Sequence, residues 1–425
     1  MSLDPKRAAE APAGEEPKPL LISEPADGVP ALVDTQAALD AAIARLQAGH
    51  GPLAVDTERA QSFRYSAKAY LIQLRRPGAG TVLLDPVALE EGRERADLSE
   101  LAAALSDVEW IVHAAQQDLP CLAEVDLLPD TLFDTELAGR LLGLPRVSLA
   151  SLLERAFGKT LAKEHSAADW SKRPLPADWL SYAALDVELL CELRDWAADE
   201  LRAAGKQEWA RQEFEHLARH AGDPVTRREE PWRRTSGIHE LRSARQLAIV
   251  RELWETRDSI ARRLDRAPGR VLSDLAISEV AARATPERGA VDRSDLRAVK
   301  GFSWRIANRY EESFVAALAT ACALTKDELP AVSVQPDGPP PPRTWAKRHP
   351  EAFERWNRIR PATVARAEEL SLPVENLISP DAVRRLAWEP PPASEADVDA
   401  FLAERLVRPW QREQVVPLLT ALLSD

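Results

Sequence analysis

The stretch AVDTERA, residues 54–60, places two carboxylates, Asp56 and Glu58, two positions apart in a β-type run. Side chains alternate across a strand, so both point to one face. Like charges side by side repel, and a strand gains no stability from them. Taken alone, the pair fits a solvated strand edge or a turn as well as it fits two metal ligands. The rest of the chain decides between these readings.

Upstream, "DTQAALDAAIARLQAG" has helical apolar spacing, and Gly49 and Gly51 end the helix. Short β-type runs follow: "GPLAVDTE", "AYLIQLRR", "GTVLLD" and "EWIVHAA". The first three are joined by short turns such as "RPGAG" and predict an antiparallel meander. The fourth follows a helical stretch, "DLSELAAALSD", and such a crossover predicts parallel pairing. Beyond Asp118 the chain reads as mostly helical to about residue 220, so residues 33–220 are expected to form one mixed α/β domain. Residues 1–32, rich in Ala, Pro and Glu without apolar periodicity, read as a disordered tail.

A linker is expected over 221–235, an all-helical block over 236–326, a proline-dense, extended linker over 327–345 and a second helical block over 346–425. The two blocks echo each other. "RRLDRAPGRVLSD" resembles "RAEELSLPVENLISPD", and "WRIANRYEESFVAAL" resembles "WQREQVVPLLTAL" with Trp304 set against Trp410, which suggests an internal repeat. Truncation after about residue 225 is expected to leave a folded α/β domain.

The 425 residues are enough for two to four domains. No apolar run approaches the roughly 18 residues of a membrane span, and the N-terminal residues have no apolar core of a secretory signal. Three cysteines, Cys121, Cys191 and Cys322, are odd in number and far apart, which excludes a disulfide framework and a cysteine zinc site. A cytoplasmic protein without membrane attachment is expected. The net charge of −13 repels phosphate overall, so any nucleic-acid binding must use local basic patches or metal ions.

Two later segments give Asp56 and Glu58 their meaning. In "EWIVHAAQQDLPCL" an apolar strand leads to His113 and then to Asp118, near the start of a helix, where a cap is the plainer reading. In "LPADWLSYAALDVELL" Tyr182 and Asp186 stand four apart on one helix face, beside apolar residues that pack the helix down. A structural Tyr–Asp contact is the plainer reading there, yet an aspartate on a packed face needs a partner. Four carboxylates share one site only if cations neutralise them. Oxygen-only ligands select hard ions, Mg²⁺ or Mn²⁺, over zinc. Two such ions about 4 Å apart suit in-line attack on a phosphodiester.

The order of DxE, an Asp after a strand and YxxxD on a helix resembles the DEDDy 3′–5′ exonucleases of the ribonuclease H-like superfamily. The flanks "AVDTE", "YLIQL", "HAAQQDLPCL", "FDTELAGRLLG", "SLASLLERAFG" and "DWSKRPLPADWLSYAALDV" are similar, in the same order, to those of ribonuclease D across about residues 34–220. The block at 236–326 is similar to the HRDC domain, and that at 346–425 to a second, divergent HRDC-like domain. The resemblance implies an α/β ribonuclease H-like (DnaQ-like) exonuclease domain with a mixed sheet, followed by two all-α HRDC-type domains.

The resemblance also implies roles. Asp56, Glu58 and Asp186 would hold one divalent ion, with Asp56 also reaching a second that Asp118 orients. Tyr182 would hydrogen-bond the attacking water; its phenol, with a pKa near 10, positions that water rather than deprotonating it. The activity implied is a metal-dependent 3′–5′ exoribonuclease that releases nucleoside 5′-monophosphates from tRNA precursors or other structured RNA with a 3′ extension, using two Mg²⁺ or Mn²⁺ ions. A monomer is expected. Two alternatives are a 3′–5′ DNA exonuclease with the same ligands and a catalytically silent RNA-binding scaffold.

Where an aromatic or apolar residue commonly follows DTE in that family, this chain has Arg59, suited to phosphate contact or planar stacking. Phe63 or Tyr65 would then meet the terminal base. Gln73, His113, Lys163, Ser166, Trp170 and Arg173 are further substrate-contact candidates by resemblance. In the Arg-dense first helical block the arginines read either as a solvated face paired with glutamates or as phosphate contacts. Lys300 and Trp304 are the nucleic-acid contact candidates, beside Tyr310.

Overall fold

The computed structural model describes residues 18–90, 92–162, 167–224, 228–285, 291–333 and 338–424. Its strands are β1 (Leu20–Ile22), β2 (Leu32–Val33), β3 (Leu53–Arg59), β4 (Ala69–Arg76), β5 (Gly80–Leu84), β6 (Glu109–Val112), β7 (Thr131–Asp134) and β8 (Lys159–Leu161). A six-stranded sheet has the order β2-β5-β4-β3-β6-β7, and β1 pairs with β8 alone. The meander is antiparallel through β3, β4 and β5, whereas β6 lies parallel to β3 and β7 parallel to β6. The sheet is mixed, as its connections predicted.

Strand alternation divides the buried residues cleanly. Val55, Ile72, Leu74, Val82 and Leu84 face one layer, packed with Leu39 and Leu46 of the helix Gln36–Ala48 and with Leu122. That helix starts where Thr35 accepts the Ala38 N–H and stops at Gly49. Ala54 on the opposite face packs with Leu185 and Leu193, and Leu71 and Leu83 pack with Ala183 and Ala184 of the helix Ala177–Asp186. Asp56 and Glu58 occupy that second face, with their own strand on one side and this helix above.

Four short strands of the sheet region were not predicted. β1 falls within the expected tail and β2 straddles its end, and residues 18–32 are ordered there; residues 1–17 lie outside the described residues. β7 and β8 fall in the stretch read as helical. Each is two to four residues long, and an apolar run that short carries no detectable period.

The first helical block runs from the helix Ala244–Leu264 to the helix Glu311–Ala323 around a core that includes Leu253, Ile277, Leu296 and Phe314. Trp232, expected in a linker, is buried in the same core. Six of the block's described arginines pair with acids, as Arg262 does with Asp258 and Arg297 with Glu311, while others donate to carbonyls, as Arg245 does to those of Ala321 and Leu324. The solvated-face reading holds for the exposed pairs, whereas Arg257, paired with Asp274, is buried.

The repeat is visible in part. A 21-residue helix, a four-residue helix Pro268–Val271 and a nine-residue helix Asp274–Ala282 match the 20-residue Pro350–Glu369, the four-residue Val374–Leu377 and the nine-residue Pro380–Trp388. Ser273 and Ser379 cap the third helix in each. Trp304 and Trp410 do not correspond: Trp304 is 41% exposed, while Trp410 is fully buried in the last helix, Pro409–Ser424.

Among the described residues, the core of the last helical block is continuous with that of the α/β domain. Phe133, Leu141, Leu201 and Phe214 share one apolar cluster with Trp345, Ile359, Leu386 and Trp410. Trp209 stacks on Trp410 with ring centroids 4.7 Å apart. Glu213 accepts from Trp410 Nε1 and from Arg408 Nε, each at 2.8 Å. Lys206 donates to the carbonyls of Leu141 and Leu370, both at 2.7 Å. A chain cut after residue 225 would expose this cluster, so the expectation of a self-sufficient fragment is revised: it should aggregate or bind hydrophobic dyes.

Gly143 tests that docking. It sits at φ +71°, and an added Cβ would overlap the Ser371 carbonyl of the last block. Gly158 is also left-handed, at φ +64°, but has open space around it. Gly158→Ala should cost about 1–2 kcal/mol from backbone conformation alone. Gly143→Ala should lower the melting temperature clearly further, because backbone must also move. Equal melting temperatures for the two variants would contradict this docking.

Candidate active site

The site lies at the carboxyl end of β3, where open α/β sheets commonly bind ligands. Asp56 and Glu58 rise from β3, and Asp186 is the last residue of the helix above. Each of the three places a carboxylate oxygen within 4.8 Å of the others. The Tyr182 hydroxyl donates to Asp186, one helical turn away. β3 and β4 lose register between Glu58 and Arg59. The irregularity ends the ladder and re-aims the chain at Arg59.

Asp118 stands beside this group but is not part of it. It occupies the cap position of the helix Leu119–Ala123, yet its side chain makes no cap bond. It accepts instead from Thr57 Oγ1 at 2.5 Å, and Arg59 approaches it to 4.0 Å while donating to the Gln117 carbonyl at 2.6 Å. Thr57, between the two ligands in sequence, uses the alternate face of β3 to hold the fourth carboxylate. Sequence reading missed it, although the alternation of DTE marks the position.

Asp134 was also missed. Buried at the end of β7, it accepts from the N–H groups of Ala114, Ala115, Glu136 and Leu137. It thereby caps the helix Thr135–Leu141 and anchors the turn that leads to Asp118. Ala114 in that turn is left-handed at φ +64°, strain that Asp134 compensates. The Asp-Thr-Glu after an apolar run was its signal, a plain N-cap pattern.

Burial dominates the electrostatics. It raises the Asp56 carboxyl well above the usual range, and Asp118, Asp186 and Glu58 push it further. Glu58 is pushed up to about 9 by burial, then by Asp186 and Asp118. Burial raises Asp186 to about 7 and Asp118 to about 6. Tyr182 is raised too, by burial and then by the neighbouring carboxylates, so its proton stays on the phenol at neutral pH. Among the described residues no lysine, arginine or histidine pairs with Asp56, Glu58 or Asp186. An oxygen-only acidic set, with Glu58 buried, Asp56 and Asp186 half-buried and only Arg59 nearby to offset the charge of Glu58, fits hard divalent cations.

The further candidates divide. Arg59 and Phe63 line a cleft of about 180 Å³ beside Glu58, with Ala168 opposite. Tyr65 is directed away: its hydroxyl donates to Asp258 at 3.0 Å. Gln73 lies cross-strand from Asp56 and is fully buried, so it cannot touch a substrate. His113 contacts the buried Thr135 hydroxyl at 2.9 Å, and burial lowers it to about 4, which keeps it neutral. Trp170 is fully buried, its ring 5.1 Å from Trp179 and 6.4 Å from Tyr182, and so supports the tyrosine from behind. Arg173 is spent on Asp85 through two bonds of 2.7 Å and on the Tyr70 carbonyl at 2.8 Å. It clamps the segment before the Tyr182 helix to the sheet rather than meeting phosphate. Lys163 and Ser166 lie outside the described residues. Lys300 and Trp304 are exposed, whereas Tyr310 is half-buried against Arg263.

Comparison with known proteins agrees with this arrangement. Residues 30–202 match the family model described as "3'-5' exonuclease", 246–318 the HRDC domain and 338–423 the "3' to 5' exonuclease C-terminal domain". These matches show one HRDC domain and give the last helical block a different description. Ribonuclease D of Nitrobacter hamburgensis is 31% identical over 312 residues, covering 71% of this chain and 76% of that protein. Ribonuclease D of a Jannaschia species is 32% identical over 290 residues, covering 67% and 72%. The crystal structure of a Bifidobacterium adolescentis protein superposes with a TM-score of 0.85 at 40% identity, covering 96% of this chain and 100% of that one. Escherichia coli RNase D, described as an exoribonuclease involved in structured RNA processing, matches in fold with a TM-score of 0.65 at 24% identity, over 93% and 98%.

The raised carboxylates carry a testable sign. Groups with folded pKa values above the ordinary 4 or so bind more protons in the folded chain. Their contribution is fully present below about pH 4 and is lost as pH rises toward 7 for Asp186 and 9 for Glu58. In EDTA the melting temperature should therefore fall from pH 5 to pH 9. Asp186→Asn should raise it at pH 8, by about 1–2 °C per kcal/mol relieved, and flatten the slope. A flat or rising profile, unchanged by the substitution, would contradict the assigned electrostatics.

Proposed function

The chain belongs to the ribonuclease D family, and from that premise we propose that this 3′–5′ exoribonuclease trims tRNA precursors and other structured RNA carrying 3′ extensions. The observation that carries the reading is the convergence of Asp56, Glu58 and Asp186 with Tyr182 bonded to the last of them. We infer a pair of divalent ions, Mg²⁺ or Mn²⁺, held by these three carboxylates together with Asp118. When bound, such ions supply charge to offset the phosphate and acidify water.

The chain's own residues supply orientation. Tyr182 keeps its proton and directs a hydroxyl toward the Asp186 side of the site, where it can hold a water in line with the scissile phosphorus. Arg59, beside Asp118, is placed to meet a phosphate oxygen once the carboxylates are neutralised. Phe63 borders the cleft that would take the terminal base. The Arg173–Asp85 clamp and the buried Trp170 fix the helix that carries Tyr182.

We assign the last helical block, residues 346–425, to a divergent HRDC-type fold, supported by the matching helix lengths and serine caps. Lys300 and the exposed Trp304 are the proposed RNA contacts of the first. A cytoplasmic monomer fits this role. Incubation with 3′-labelled RNA and matched DNA in Mg²⁺, Mn²⁺ or EDTA tests the whole reading. Stepwise release of nucleoside 5′-monophosphates from RNA, abolished by EDTA, is expected; preferential digestion of DNA would move the substrate assignment.

Asp56→Asn should abolish cleavage in a folded chain. Tyr182→Phe keeps the ring and removes only the hydroxyl, so turnover should fall roughly ten- to a thousandfold with Mn²⁺ affinity retained. A Tyr182→Phe chain that loses Mn²⁺ affinity but keeps its saturated rate would return Tyr182 to a structural role.

A further inference from the structure

The loop from Gln61 to Ser66, which leaves the ladder just after the ligand pair, is not held by the α/β domain alone. The helical domain that follows reaches across and grips it. Asp265, at the end of the helix Ala244–Leu264, accepts the N–H groups of Tyr65 and Ser66 at 3.1 and 2.9 Å. The Ala267 N–H donates to the Phe63 carbonyl at 3.1 Å. Arg270 donates to the Ser62 carbonyl at 2.6 Å and lays its guanidinium 4.0 Å from the Phe63 ring centroid. Tyr65 is drawn into the helical domain, bonded to Asp258 and accepting from Arg262 Nη2 at 3.1 Å.

These contacts bear on the site because Phe63, Ser62 and Gln61 line the cleft beside Glu58. Within the α/β domain, the loop backbone is tied by a tight turn, with Phe63 and Arg64 both donating to the Ala60 carbonyl at 2.8 Å. Its outer half depends on the helical domain for backbone partners. Such cross-domain bonds fix loop geometry at the point where a 1 Å displacement of a bound nucleotide costs rate.

We propose that the helical domain at 246–318 builds one wall of the substrate cleft, with Asp265 and Arg270 as positioning residues that hold Phe63 and the Gln61–Ser66 backbone beside the carboxylates. The proposal rests on the exoribonuclease reading for what the cleft binds: the base and sugar of a 3′-terminal nucleotide. It gives the domain a part in binding even the shortest RNA, in addition to any contact with distant RNA.

The test uses the full chain with Asp265→Gly and Asp265→Asn. Asp265 has φ +44°, left-handed geometry that glycine and asparagine accept readily, so the helix end survives both changes. Glycine removes the acceptor; asparagine keeps one oxygen for the two N–H groups. Two readouts are made: amide hydrogen exchange at Tyr65 and Ser66, and steady-state cleavage of an RNA trinucleotide with Mn²⁺. For Asp265→Gly, exchange should quicken tenfold or more and KM should rise at least fivefold, with kcat and Mn²⁺ affinity within twofold of wild type. Asp265→Asn should restore most of both. Unchanged exchange, or a KM within twofold of wild type, overturns the proposal, as does a loss confined to kcat and Mn²⁺ affinity. If the wild-type chain shortens no RNA, the functional reading falls, while the exchange arm still decides whether the helical domain holds the loop.

Discussion

Three carboxylates are brought together at the end of one strand, Glu58 buried and Asp56 and Asp186 half-buried, and a fourth stands beside them. Without cations, Asp56, Glu58 and Asp186 hold protons they would surrender in solvent, because burial and mutual repulsion both penalise the charged forms. Much of the surrounding structure serves to keep that unfavourable arrangement in place. The sheet is buried on both faces, the helix Ala177–Asp186 is clamped by Arg173 on Asp85, and Trp170 fills the space behind Tyr182. Binding free energy from a divalent ion would offset the cost, so folding, metal occupancy and catalysis draw on the same interaction.

The domain arrangement follows from what each part leaves uncovered. The helices Leu190–Ala203 and Gln207–Arg219 present an apolar face, including Leu201 and Phe214, that the α/β domain does not cover itself. The last helical block covers it, which explains a stacked Trp209–Trp410 pair and a buried Glu213 satisfied from across the boundary. The preceding helical domain makes a different contact, polar and aimed at a loop beside the site. One appended domain thus completes a core, while the other completes a cleft.

The ligand positions were legible because two regular periods, two for the strand and nearly four for the helix, put like residues on one face. Asp118 was legible only through its resemblance to a known order of motifs; as a cap it would have been misread, and Thr57 is what draws it from that role. Arg173 was misjudged for a physical reason: an arginine near an acidic site reads as a phosphate contact, and nothing in the local sequence reveals a partner 88 residues away in Asp85. Gln73 and Trp170 erred in the same way, since burial is a tertiary property. The short strands β1, β2, β7 and β8 left no period to read, and their pairing depends on neighbours distant in sequence. The shared core of the last block was likewise invisible, because Trp209 and Phe214 look like any amphipathic helix face.

The most direct measurement is a calorimetric titration of the EDTA-treated chain with Mn²⁺ at pH 7.5, repeated in buffers of different ionisation enthalpy. Carboxyls held near 7 and 9 must release protons when a cation displaces them. The account predicts saturable binding with net release of about one proton or more, reduced in Asp186→Asn. Binding without proton release, or no binding at all, would contradict the claim that a strained, protonated carboxylate cluster is the metal site.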